Sequence, residues 1–137
     1  MKSVIILSRE PINLNSVSAK FKESGFSVSR SANRIVVEGR QGWFALECDN
    51  SIIEDYEEDE INKLNRLLSN TISLAQLEFS NIDAVNNAIA KMDHIGDFVV
   101  DNDHGLFLNL KQINNFADSS VDWTSLDSNQ APDDTPR

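Results

Sequence analysis

The chain opens with an almost unbroken apolar run, "SVIILS" (residues 3–8), which predicts a strand buried on both faces and central in its sheet. The period then changes. In "NLNSVSAKFKESG", Leu14, Val17 and Phe21 recur at helical spacing, and Gly25 is a suitable helix stop. "FSVSRS" (26–31) predicts a second strand. "RIVVEG" (34–39) and "GWFALECD" (42–49) predict a hairpin turning through Gly39–Gly42, with Phe44, Leu46 and Cys48 on one face and Trp43 and Ala45 on the other. Ser51 and Glu54 then stand in the S-x-x-E capping-box spacing, which predicts a helix from about Ile52. Its apolar stripe is Ile53, Tyr56, Ile61, Leu64, Leu67 and Leu68. "ISLAQLEF" (72–79) predicts another strand, and residues 81–92 a third helix with Ile82, Val85, Ile89 and Met92 on one side. "DFVVDN" (97–102) and "GLFLNL" (105–110) read as two short strands or one bent strand.

The expected order is β-α-β-β-β-α-β-α-β. It corresponds to an α+β fold: a mixed, mostly antiparallel sheet with helices packed on one face. A ferredoxin-like core with additions is one way to draw it. After about Asn114 the composition turns to Asp, Ser and Asn. The expectation is therefore one α+β domain over residues 1–116 and an acidic, disordered tail over 117–137, in which Val121, Trp123 and Leu126 are the residues able to dock.

Length and composition narrow the function classes. A chain of 137 residues suits one domain. It contains no apolar run of about 18 residues, the minimum for a membrane-spanning helix. The apolar run Val4–Leu7 is shorter than the roughly 7 residues of a signal-peptide core, so a cytoplasmic protein with no membrane partner is expected. Cys48 is the sole cysteine, which excludes an internal disulfide and reads as a plain buried thiol. The net charge of −10 is unevenly placed: seven bases face five acids in residues 1–50, but five face seventeen in residues 51–137. Such a surface repels phosphate backbones, so no nucleic-acid partner is expected, and it attracts basic proteins.

Within that acidic half, residues 54–60 hold six carboxylates broken only by Tyr56. A calcium loop needs a glycine at its sharp turn, and this block has none. The segment "DNDHG" (Asp101 to Gly105) places Asp101 and Asp103 on one side of an extended chain beside His104, a combination seen in metal and acid–base sites. Its glycine falls one position early for a calcium loop, and Asn, Asp and Gly suit a turn between strands better. His94 sits at the end of the third helix, where an imidazolium meets the helix dipole favourably. Neither histidine belongs to a nucleophile motif, no glycine-rich phosphate loop follows a strand, and Cys48 lacks electropositive neighbours in sequence. No catalytic residue, metal or cofactor is expected.

Partner binding accounts better for the block. Acids in the first turn of a helix gain about 0.3–1 kcal/mol each from its dipole. That explains two or three of the six. Like charges at i, i+3 and i+4, such as Asp55–Glu58 and Asp55–Asp59, cost about 0.2–0.5 kcal/mol per pair. A basic partner would relieve this repulsion and be steered by it. The expected contact residues are Glu54, Asp55, Tyr56, Glu57, Glu58 and Asp59, with Asp55, Glu58 and Asp59 outward and Tyr56 as an aromatic anchor.

In these respects the chain resembles the immunity proteins of bacterial toxin systems, including contact-dependent growth inhibition. The resemblance lies in the "SIIEDYEEDEINKL" block, the compact α+β order around it and the acidic second half, over residues 1–116. It is one of character rather than of motif, so no residue role is carried over. It implies a cytoplasmic inhibitor that binds a cognate basic toxin, often a nuclease. The alternatives are a regulatory or structural interaction module with no toxin partner, and a metal-dependent enzyme using Asp101, Asp103 and His104.

Overall fold

The computed structural model describes residues 2–68, 73–92 and 97–127. Among these residues seven strands form one sheet: β1 (Lys2–Ser8), β2 (Ser27–Arg30), β3 (Arg34–Gly39), β4 (Gly42–Cys48), β5 (Ser73–Phe79), β6 (Phe98–Asp101) and β7 (Phe107–Leu108). They lie in the order β2-β3-β4-β5-β1-β6-β7. The fold is α+β, as the pattern predicts, and every neighbouring pair is antiparallel, so the sheet is not mixed. β1 takes the central place its apolar run implies: Val4, Ile6 and Leu7 are all buried. β5 and β6 flank β1 and are both antiparallel to it, so they run parallel to each other. The ferredoxin-like drawing does not capture the rest. After β1 the chain crosses to the far edge, β2, and returns strand by strand through β3 and β4 to β5.

One face of the sheet carries α1 (Leu14–Glu23), α3 (Ile82–Lys91) and α4 (Leu110–Asp118). Each starts at an asparagine whose side chain accepts otherwise unpaired backbone N–H groups: Asn13 from Asn15 and Ser16, Asn81 from Ala84, and Asn109 from Gln112. The predicted stripes point inward. Leu14, Val17, Phe21, Val85, Ile89 and Met92 join the main core with Ile6, Leu46 and Leu77 of the sheet.

The expectation that all helices share one face is corrected by α2 (Glu58–Leu68), which packs on the opposite face. There Leu64 and Leu68 meet Leu7, Leu74 and Val99 in a second, smaller core. The cause is the central strands themselves. A strand apolar on both sides needs cover on both, and α2 supplies the second layer.

The domain boundary also moves. The segment expected to continue β7 to residue 110 instead turns at Asn109 into α4, closed by a reciprocal Asn109–Gln112 capping box. Beyond it Trp123 is completely buried in the main core, and its indole N–H donates to Asn86 Oδ1 at 2.7 Å. The folded unit therefore runs through at least residue 126, not 116. Polar composition misleads here because one tryptophan, with its neighbouring carbonyls satisfied by Asn102, is enough to hold the segment. The rest of the expected tail, residues 128–137, lies outside the described residues.

Candidate partner-binding surface

The acidic block does not form the single capped helix its spacing predicts. Asp49 intervenes: its Oδ1 accepts from the Ser51 backbone N–H at 3.0 Å and from the Ser51 hydroxyl at 2.6 Å. Asp49 thereby caps a 3-10 helix, Asn50–Asp55, and Ser51 is not available as a cap. Tyr56 is extended (φ −91°, ψ 141°) and breaks the run. α2 then starts afresh, with the Glu57 N–H donating to Glu60 Oε1 at 3.0 Å and the Ile61 N–H donating to the Glu57 carbonyl. Glu60 performs the reach-back half of a capping box that the spacing assigns to Glu54.

The break at Tyr56 turns its side chain inward. Its hydroxyl donates to Asp101 Oδ2 at 2.5 Å, and its ring lies 6.4 Å from that of Phe107. Tyr56, expected both in the apolar stripe and as an aromatic anchor for a partner, is half-buried and bonded to the sheet. Burial, then the bond to Asp101, pushes its phenol far above the usual range. Asp101 is only 9% exposed. Burial raises its carboxyl, against the lowering effect of the bonds from Tyr56 and the Asp103 N–H.

Glu54, Asp55, Glu57, Glu58 and Asp59 are exposed. The structure divides them. Asp55 joins Tyr56, Glu60, Asp101 and Asp103 around a cleft of 410 Å³, whose apolar wall includes Ile5 and Ile52. Asp59 joins Glu60, Asp101 and Asp103 around a neighbouring cleft of 330 Å³. Glu54, Glu57 and Glu58 line neither. Of the three acids expected to form the centre, Asp55 and Asp59 are thus brought together with others, and Glu58 stands apart. The contact set expected from the sequence omits Glu60, Asp101 and Asp103, although the last two stand out there as a metal or acid–base candidate. The available signal was alternation: Val99 and Asp101 share one face of β6, and that is the face α2 covers. Among the described residues Lys63 is the only base lining these clefts, with its ammonium 5.3 Å from the centre of the Phe107 ring.

The Asp101–Gly105 segment is the turn that its composition favours. Asp103 and Gly105 have positive φ, 64° and 94°. Asp101 Oδ1 accepts from the Asp103 N–H at 2.8 Å. Asn102 Oδ1 accepts from the His104 and Leu106 N–H groups. His104 is exposed, and His94 lies outside the described residues. Among the described residues no group of three or more His, Cys, Asp or Glu side chains is placed to hold a metal ion. Cys48 is half-buried rather than fully buried, and burial raises its thiol. No helix among the described residues is long and apolar enough to cross a membrane.

No protein-family model matches this chain, nor does any curated protein or solved structure.

Proposed function

We propose that this protein is a cytoplasmic inhibitor of the immunity type, which binds a basic toxin domain through its acidic cleft region. One observation carries the reading: Asp55, Asp59, Glu60, Asp101 and Asp103, from three separate segments, converge around two adjoining clefts, with Lys63 the only base among the described residues that line them. Carboxylates gathered at this density repel one another in the free protein. A partner presenting Lys or Arg side chains removes that repulsion and is drawn in by the field. Ile5 and Ile52 offer apolar wall for the aliphatic stems of such side chains. A toxin that acts on nucleic acid would present the required basic surface, and its occupation would block access of the phosphate backbone.

The test is co-expression with the product of the adjacent reading frame, followed by calorimetry. Relief of growth arrest and tight binding are expected. A folded Asp55→Lys/Asp59→Lys/Asp103→Asn variant should bind about a hundredfold more weakly, whereas Glu58→Lys should change affinity far less. Full affinity in the triple variant would overturn the placement. The absence of a toxin among the neighbouring gene products would favour a regulatory or structural interaction module.

A further inference from the structure

On the other face of the sheet, away from the acidic clefts, lies a cavity of 450 Å³ that the inhibitor reading does not use. Its floor is Val37 and Phe44, with Phe26 alongside. Three elements wall it: the end of α1 with Ser24 and Gly25, the β3–β4 turn, and α3 through Ala84 and Asn87. These walls are tied to one another. Asn87 Nδ2 donates to Gln41 Oε1 at 3.0 Å, and Asn81 Nδ2 donates to the Gln41 carbonyl at 2.6 Å. Lys91 Nζ donates to Ser24 Oγ at 3.1 Å, joining α3 to the loop after α1. On the sheet side, a Cβ at Gly39 would collide with the Phe26 ring, so glycine is what lets that ring lie against the turn. Hydrogen bonds thus join its walls around the rim. Its size falls in the range of small-molecule sites, about 300–1,000 Å³.

Its charge is the reverse of the molecule's. The chain carries −10 overall, yet among the described residues the one charged residue in this lining is Arg40. Among the described residues Arg40 makes no salt bridge. We infer that this cavity binds a small monocarboxylate with an aromatic or branched apolar body. The apolar part would rest on Val37, Phe44 and Phe26, and the carboxylate would pair with the Arg40 guanidinium, whose fork of donors matches it. A single guanidinium suits a single negative charge. A multiply charged phosphate would meet one guanidinium, a Lys91 ammonium already bonded to Ser24 Oγ, and the repulsion of an acidic protein.

The experiment is a titration of the full chain with 3-phenylpropionate, followed by amide NMR shifts and paired with 3-phenylpropanamide as the uncharged probe. The carboxylate should move the amides of Gly25, Gly39 and Gly42, and the amide probe should bind at least about tenfold more weakly. Arg40→Gln, at an exposed position, should cost the same factor. Ala84→Leu should fill the cavity and abolish the shifts. Should that variant fail to fold, Arg40→Gln still decides the question. No shifts at these glycines up to the solubility limit, equal binding of the two probes, or full affinity in Arg40→Gln would each overturn the assignment. Asp55→Lys/Asp59→Lys should leave this binding intact, which separates it from the fate of the inhibitor reading.

Discussion

Asn102 and Asp101 are sequence neighbours with opposite energetic roles. Asn102 is 1% exposed and satisfied at both ends of its amide: its NH₂ donates to the Trp123 and Leu126 carbonyls, and its oxygen accepts from two turn N–H groups. Asn102→Ala strands several of these groups, each costing about 1–3 kcal/mol when buried without a partner. A loss of about 3 kcal/mol in urea unfolding is expected, with lowered emission quenching or shifted fluorescence at Trp123 as its local marker. Asp101 works the other way. Its folded-state carboxyl is raised above the ordinary 3.8, so the folded protein holds this proton longer than the unfolded chain does. The associated stability is present below about pH 4 and is lost as pH rises from there through the raised value. Asp101→Asn should flatten that decline in a thermal-unfolding series across the acid range and match or exceed the wild type at neutral pH. Ser18 offers a third case: it is buried on α1, and its hydroxyl has no hydrogen-bond partner among the described residues. Ser18→Ala should raise stability by about 1 kcal/mol in the same urea assay.

At the scale of elements, α2 and the segment after α4 are each held by few residues. Leu64 is fully buried between α2 and the sheet, so Leu64→Ala should cost about 2–5 kcal/mol. Because α2 also presents Asp59 and Glu60 to the clefts, the same change should loosen the acidic surface. Hydrogen exchange of α2 amides in the variant would show this. Trp123 anchors the C-terminal segment. Trp123→Ala should cost about 3–5 kcal/mol, and a chain ending at Phe116 should be destabilised at least as much. Calorimetric melting of the two variants beside the full chain checks both.

The whole molecule is shaped by charge. Raising ionic strength from about 10 mM to about 150 mM shortens the screening length from roughly 30 Å to about 8 Å. The melting temperature should rise over that range, because repulsion among the cleft carboxylates is screened. Asp59→Asn should show a smaller rise and a higher starting value. The two chemically distinct regions lie on opposite sides of the sheet: acidic clefts beside α2, and a cavity with a single arginine between α1, the β3–β4 turn and α3. A seven-stranded sheet covered on both faces keeps them apart.

Much of this was legible in the chain alone. The α+β class, the central β1, the β3–β4 hairpin, the stripes of α1 and α3 and the turn at Asp101–Gly105 depend on period, glycine and asparagine. These are local properties, set by residues near one another along the chain. Local rules also marked Asp55 and Asp59 as exposed acids. The remaining features depend on strand order and on partners far along the chain. The placement of α2 on the second face needed Leu7, Leu74 and Val99 to meet. Tyr56 turned inward because Asp101, 45 residues away, arrives beside it. Ser51 lost its predicted capping role to Asp49, a competition between two plausible caps that spacing cannot rank. Composition, which averages over residues, marks Trp123 as able to dock but places it in a polar tail, whereas its burial depends on the one side chain finding a cavity of its own size.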